Sequence, residues 1–225
     1  MAILKIRVVK LTFESSRLLR TSDAKKIRGY LGNLFWDNRY VHQHNKDGTL
    51  MYRYPCVQYK VIDGSCVLIG FREALKIVKK TFHELKSINI DGQWEEIPAM
   101  ALEGYEASFG LVKERICYTF LTPWLALNEK NYEKYQRIGS RAHREKLLED
   151  ILVGNILSMS KSLGYTVTEP IKAKTFDLRE FQIRLKDVPM LGFLGRFSVN
   201  FEIPDYWGIG KSVSRGFGTV KKCSS

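Results

Sequence analysis

Closely spaced glycines and basic residues near the C-terminus form the part of this chain best suited to bind phosphate. Two Gly-apolar-Gly triplets, at 208–210 and 216–218, enclose a stretch that carries positive charge and hydroxyl groups. Glycine takes positive φ without strain and lets a ligand approach the backbone, where outward N–H groups form a nest for anions. The spacing fits neither a nucleotide P-loop nor a dinucleotide-binding loop. We therefore expect a polyphosphate backbone as the ligand, although a tight turn between strands would use glycines similarly. The candidate residues are Gly208, Gly210, Lys211, Ser212, Ser214, Arg215, Gly216 and Gly218.

The charge of the chain favours an anionic partner. Its 225 residues include 36 Lys and Arg against 24 Asp and Glu, which gives a formal net charge of +12. Such a balance attracts nucleic acid through the release of counterions, although solubility or an anionic protein partner would also account for it. Aromatic residues, 12% of the chain, could stack on bases. Nucleic acid is therefore the first candidate ligand.

The composition also limits the class of protein. With 44% apolar residues the chain can bury a core, so disorder is excluded. No apolar run reaches membrane-spanning length, and residues 1–8 alternate like a strand rather than resembling a signal peptide. We therefore expect a cytoplasmic protein with no membrane partner. The four cysteines are widely spaced without a Cys-x-x-Cys motif, and we expect free thiols. They are Cys56, Cys66, Cys117 and Cys223.

The elements that must position the glycine-rich segment follow the same order in both halves. In the first half, alternation and turn signals predict a β-α-β-β-α-β unit, with Asp63-Gly64 as a hairpin turn and Asp91-Gly92 as another. Its predicted elements are strand 3–13, helix 22–34, strands 50–62 and 65–71, helix 72–82, and a strand, turn and strand at 85–97.

The second half is predicted to be an elaborated version of the same unit. A long helix at 141–163 carries an apolar stripe and is stopped by Gly164 at its C-terminal end. The predicted strands are 114–121, 171–175, 179–185, 195–203 and 218–221. The fold class is therefore α+β, with two tandem ferredoxin-like (RRM-like) domains and a C-terminal glycine-rich loop. We place the domains at 1–97 and 114–225, with a linker at 98–113.

Three stretches of sequence resemble the RAMP superfamily of CRISPR-associated RNA-binding proteins. They are the glycine-rich segment 208–218, the block 41–46 (Val-His-Gln-His-Asn-Lys) with the following 52–60, and Phe193-Leu194-Gly195-Arg196-Phe197 before Asn200-Phe201. The chain is most similar to the repeat-processing endoribonuclease of that superfamily, the sixth Cas family, in its b-type subgroup. The resemblance in element order covers nearly the whole chain.

The resemblance implies a metal-independent endoribonuclease, without cofactor, that cuts precursor CRISPR RNA within the repeat. The 2′-hydroxyl attacks the adjacent phosphate and leaves a 2′,3′-cyclic phosphate and a 5′-hydroxyl. The reaction needs a base, an acid and a cation, and histidine suits both proton roles because its pKa lies near neutrality. His44 is then the general base and His42 the general acid or its exchangeable partner, while Lys46 stabilises charge. Tyr52 could add a phenolic hydrogen bond.

Other interpretations of the histidine block stay open. Histidines two residues apart share one face of a strand and could begin a metal site, but no cysteine or carboxylate cluster nearby completes it. Two incidental histidines in a surface loop are the other alternative. On balance we predict no metal.

The expected RNA partner is the CRISPR repeat, with Lys211 and Arg215 pairing with its phosphates. Arg53 and Lys60 are weaker candidates for RNA contacts, and the resemblance also allows other Cas proteins or a second copy as partners. The alternative function is a non-catalytic RAMP-type scaffold that binds CRISPR RNA in an effector complex. Two titratable histidines in one loop argue against a scaffold. A general RNA-binding protein with tandem ferredoxin-like domains is a third possibility, but the RNP aromatic motif is not evident.

Overall fold

The computed structural model describes residues 3–34, 53–185 and 188–224. They divide into two compact units. The N-terminal unit comprises Lys5–Ala107 together with Val213–Gly216, and the C-terminal unit comprises Met1–Leu4, Ser108–Ser212 and Phe217–Ser225. Each unit thus takes in a short piece of chain from the far end of the sequence.

The N-terminal unit contains the predicted hairpin and both predicted helices. Its elements are β1 (Leu4–Phe13), α1 (Ala24–Leu34), β2 (Val57–Ile62), β3 (Ser65–Phe71), α2 (Leu75–Glu84), β4 (Ser87–Ile90), β5 (Gln93–Glu96) and the first part of β6 (Met100–Phe120). Single turns of 3-10 helix, Thr21–Asp23 and Arg72–Ala74, lead into the two helices. The sheet order is β2-β3-β1-β6, with β2 antiparallel to β3 and β3 antiparallel to β1.

The core of this unit lies between the sheet and its helices. Strand residues such as Leu11, Tyr59 and Leu68 pack with Ile27 of α1 and Val78 of α2 in one buried cluster. These residues alternate along each strand, as expected for a sheet with helices on one face. A mixed sheet-and-helix layer of this kind is the predicted ferredoxin-like arrangement.

The C-terminal unit has the same arrangement, except that a loop takes the place of the second helix. Its further elements are α3 (Glu129–Arg137), α4 (Arg141–Ser162), β7 (Ala173–Leu185), β8 (Val188–Glu202) and β9 (Val220–Lys222). The sheet order is β7-β8-β6-β9. In a ferredoxin-like unit a second helix joins the last two strands. Here residues 203–219, which include the glycine-rich segment, make that connection instead.

The long helix of this unit agrees with the predicted apolar stripe. Leu148, Leu152, Ile156 and Met159 of α4 are buried, and the helix packs against β7. Gly164 follows the helix at φ +66°, the left-handed conformation that ends many helices.

Several predictions from the sequence need correction. The fourth strand of the N-terminal sheet is the first part of β6, whereas β4 and β5 at 85–97 form a separate two-stranded sheet. Residues 98–113, expected to be a linker, include that part of β6. The strands predicted at 171–175 and 179–185 are one strand, β7, with an irregularity between Phe176 and Arg179.

The expectation of four free thiols is wrong for two of them. Cys117 on β6 and Cys223, just after β9, form a disulfide, and the amide of Cys223 also donates to the carbonyl oxygen of Cys117 at 2.9 Å. Cys56 and Cys66 are free. Antiparallel pairing of β9 with β6 brings the two bonded cysteines together.

The helices of the described residues include none with the length and apolar character of a membrane span.

Candidate functional site

Main-chain hydrogen bonds close the base of the glycine-rich segment, residues 208–218. Gly208 forms an antiparallel bridge with Thr219, and the amide of Ile209 donates to the carbonyl oxygen of Gly218 at 2.8 Å. The amide of Gly218 in turn donates to the carbonyl oxygen of Pro123 at 2.9 Å. The segment is therefore a closed loop whose two ends are held together within the C-terminal unit.

Two glycines at the ends of this loop are required by protein packing. Gly210 has φ +89°, and a Cβ built on it would lie 2.7 Å from the indole nitrogen of Trp124. Gly218 has φ +63°, and a Cβ there would overlap the carbonyl oxygen of Ile209. Both positions combine left-handed backbone with no room for a side chain, so only glycine fits without strain. These glycines bring the chain close to other protein atoms, as in the tight-turn alternative.

The tip of the loop belongs to the N-terminal unit. It forms a turn of 3-10 helix, Val213–Arg215, that packs against α1 and β2. Gly216 follows at φ +89°, and a Cβ there would lie 3.0 Å from both the Cβ of Ala24 and the carbonyl oxygen of Tyr59. Gly216 therefore fixes the tip against the start of α1 and the middle of β2.

Lys211 is held by main-chain groups of the C-terminal unit. Its amide donates to the carbonyl oxygen of Leu125 at 3.3 Å, and its Nζ donates to the carbonyl oxygen of Leu127 at 3.1 Å. Partial burial lowers the pKa of the Lys211 ammonium. Carbonyl oxygens carry no full charge, so the ammonium still has its positive charge available for an anion.

Three polar side chains of the loop have no partner among the described residues. In the described part of the chain, the hydroxyls of Ser212 and Ser214 and the guanidinium of Arg215 make no hydrogen bond or ion pair. All three residues are half-buried, and Ser212 has φ +57°. Hydroxyl and guanidinium donors without acceptors are the groups that phosphate oxygens satisfy best. The N-terminal unit therefore offers an anion the guanidinium of Arg215 and the hydroxyl of Ser214, and the C-terminal unit offers the hydroxyl of Ser212.

The two weaker candidates from the sequence differ in exposure. Arg53 is exposed, but Lys60 on β2 is fully buried. The Nζ of Lys60 donates to the Oε1 of Gln58 at 2.8 Å, and burial lowers the pKa of the ammonium to about 7. A side chain with no exposed surface cannot touch RNA, so Lys60 is not part of the candidate site. Alternation along β2 places Lys60 opposite the core-facing Tyr59, on a second buried face that the sequence pattern does not reveal.

The predicted catalytic residues lie outside the described residues. These are His42, His44, Lys46 and Tyr52, in the stretch between the end of α1 and Arg53. Among the residues that the structure describes, no group of three or more His, Cys, Asp and Glu side chains could hold a metal ion.

Comparison with known families gives matches to both halves of the chain. Residues 4–107 match the Cas6b N-terminal domain, and residues 110–223 match the Cas6b C-terminal domain. A sequence relative, an uncharacterised protein of Methanocaldococcus jannaschii, is 45% identical over 137 residues, which is 60% of this chain and 92% of the relative.

Solved structures agree with the family match. A crystal structure of Cas6b has a TM-score of 0.90 and 37% sequence identity, covering 98% of this chain and all of the other. A second, described as the CRISPR RNA processing endoribonuclease Cas6b, has a TM-score of 0.79 and 35% identity with the same coverage. Csf5, a type IV Cas6 crRNA endonuclease, has a TM-score of 0.61 at 10% identity, which is a likeness of fold alone.

Proposed function

The chain belongs to the Cas6b family, and on that premise we propose that it is an endoribonuclease that cleaves precursor CRISPR RNA within the repeat. The observation that carries the proposal is the match of both halves to this family, together with a like-sized relative described as a CRISPR RNA processing endoribonuclease. Its product is mature CRISPR guide RNA, and the repeat RNA is its substrate and binding partner.

The proposed reaction uses the RNA's own 2′-hydroxyl and no metal ion. The 2′-oxygen forms a bond to the adjacent phosphorus while the bond from phosphorus to the 5′-oxygen breaks. His44 takes the proton of the 2′-hydroxyl and His42 gives a proton to the leaving 5′-oxygen, or the two exchange roles. Lys46 and Tyr52 stabilise the charge that develops on the phosphate oxygens. The products are a 2′,3′-cyclic phosphate and a 5′-hydroxyl.

The glycine-rich loop is proposed to hold the RNA backbone. The groups that support this are the hydroxyls of Ser212 and Ser214 and the guanidinium of Arg215, which have no partner in the described part of the chain, and the ammonium of Lys211. Gly208, Gly210, Gly216 and Gly218 set the path of the backbone, and Arg53 is a further exposed cation. Phosphate contacts of this kind position RNA without reading its sequence.

The proposal is tested by incubating the purified full chain with labelled repeat RNA in excess EDTA. We expect one cut, loss of cleavage when the scissile nucleotide carries a 2′-deoxy substitution, and a 5′ fragment that ends in a cyclic phosphate. Cleavage that needs a divalent metal, or that survives the 2′-deoxy substitution, would contradict the chemistry. Binding of intact repeat RNA with no cleavage under any condition would support the scaffold alternative. Association with other Cas proteins and formation of a homodimer stay predictions.

A further inference from the structure

A buried nitrogen of Arg28 has no hydrogen-bond partner among the residues that the structure describes. Arg28 lies in the middle of α1 and is half-buried, and its Nε is shielded from solvent without an acceptor. Buried donors in proteins are nearly always paired, so an unpaired one calls for a physical reason. A ligand that binds the part of this half-buried guanidinium still within reach of solvent would compensate for its cost.

Helix geometry places Arg28 beside the tip of the glycine-rich loop. Ala24 and Arg28 are one turn apart and share a face of α1. Ala24 is the residue whose Cβ would meet a Cβ built on Gly216 at 3.0 Å, so this face is the one that meets the tip. The tip turn, Val213–Arg215, packs on α1 accordingly. Arg28 and Arg215 are therefore neighbours within the N-terminal unit.

The positive charges of the two guanidinium groups repel each other. Burial is the main cause that lowers the pKa of Arg28, and the positive charge of Arg215 lowers it further. Among the described residues, no carboxylate forms a salt bridge with either arginine, whereas Lys26 on the same helix pairs with both Asp23 and Asp91. Within the described part of the chain, these two adjacent cations have no anionic partner, which is an unfavourable arrangement.

We propose that Arg28 and Arg215 together bind one phosphate group of the RNA backbone. A phosphate has enough oxygens to accept from both guanidinium groups, and its negative charge would replace their repulsion with attraction. The Ser214 hydroxyl, next to Arg215, is an additional donor. This inference rests on the proposed function, since RNA is the polyphosphate that the protein is proposed to bind. It assigns an RNA-binding role to Arg28, which in the sequence is only one of several basic residues on α1.

The site is tested by measuring the affinity of the full chain for repeat RNA made resistant to cleavage by 2′-O-methyl groups. The variants are Arg28→Ala, Arg215→Ala and their combination. Lys25→Ala is the matched control, because it removes one exposed charge from the same helix next to Ala24. Each arginine variant should bind roughly 10- to 100-fold more weakly, as expected for lost charge-assisted hydrogen bonds. Each should also reduce the salt slope of log K by about one.

The double variant distinguishes one phosphate shared by both arginines from two separate phosphates. If one phosphate contacts both arginines, the double variant should lose less than the product of the two single losses. Fully multiplicative losses would mean two separate phosphates and would overturn the shared site. An Arg28→Ala affinity equal to that of Lys25→Ala would overturn the role of Arg28. If Arg28→Ala does not fold, Arg28→Met keeps a long apolar stem and removes the charge.

A measurement without RNA keeps this test independent of the endoribonuclease proposal. Arg215→Ala should melt at the same temperature as the wild type or higher, because it relieves repulsion with Arg28. A lower melting temperature would mean that Arg215 is structural. Inorganic tripolyphosphate should raise the melting temperature of the wild type more than that of Arg215→Ala, and an equal rise would overturn the site. If the wild type neither binds nor cuts repeat RNA but tripolyphosphate still stabilises it more than Arg215→Ala, the endoribonuclease proposal is refuted and the anion site is retained.

Discussion

Replacing Gly218 with alanine should show that the loop glycines act through protein stability. The residue lies at φ +63°, where an alanine costs about 1–2 kcal/mol more than glycine. The added Cβ would also overlap the carbonyl oxygen of Ile209. The backbone shifts needed to accommodate it cost about 1–3 kcal/mol of stability in addition. Gly218→Ala should therefore lower the free energy of unfolding by at least about 2 kcal/mol. At roughly 2–4 °C per kcal/mol, the melting temperature should fall by about 4 °C or more.

Gly29→Ala is the control for this prediction. Gly29 lies in α1 with no atom within 4 Å of an added Cβ, and its φ is not positive. Alanine there should stabilise the helix by about 1 kcal/mol. Thermal melting followed by circular dichroism, with repeat RNA affinity measured on the same samples, compares the two variants. If Gly218→Ala melted like the wild type and lost only RNA affinity, the glycine would serve the ligand and our packing argument would be refuted.

Three further predictions concern chemistry and stability. His44→Ala should cut repeat RNA roughly 10²-fold more slowly in single-turnover assays yet bind it normally, and an unchanged rate would contradict its role as base. Reduction of the disulfide, or Cys223→Ser, should lower unfolding stability by about 2–4 kcal/mol, whereas Cys56→Ser should not; equal melting of both serine variants would contradict this. Burial gives Lys60 a pKa of about 7 in the folded protein, against 10.5 for an ordinary lysine. Between pH 7 and 10.5 the unfolded chain therefore binds more protons than the folded protein, so the free energy of unfolding should rise with pH across that range. Lys60→Met should flatten that rise in urea titrations at pH 7 and 9, and an unaltered slope would rule out the titration of Lys60.

Local turn chemistry accounts for the part of the fold that the sequence predicts well. Asp63-Gly64 and Asp91-Gly92 both have positive φ at each residue, and each joins two antiparallel strands. A two-residue turn of this type fixes the register of its hairpin, so the neighbouring strands follow from it. The long helix at 141–163 is equally clear in the sequence, because its apolar residues recur at helical spacing and a glycine ends it.

Non-local pairing accounts for what the sequence does not reveal. The first part of β6 carries charged and small residues, so its alternation is weak, and only its place beside β1 makes it the fourth strand. The disulfide joins cysteines 106 residues apart, and only the pairing of β9 with β6 brings them together. The burial of Lys60 likewise depends on the second face of its strand being covered, which its own neighbours in sequence do not determine.

The same dependence explains why the sequence points to the glycine-rich segment without showing what its glycines contact. Positive φ and missing side chains are needed wherever backbone approaches something closely, and the sequence cannot tell whether that is a phosphate or another part of the protein. Gly216 approaches Ala24 and Tyr59, and the consequence of that contact is the placement of Arg215 beside Arg28. Folding thus brings together two like charges that no carboxylate of the described residues neutralises. Since neighbouring like charges destabilise a fold, the bound phosphate that we propose accounts for this pair better than the fold itself does.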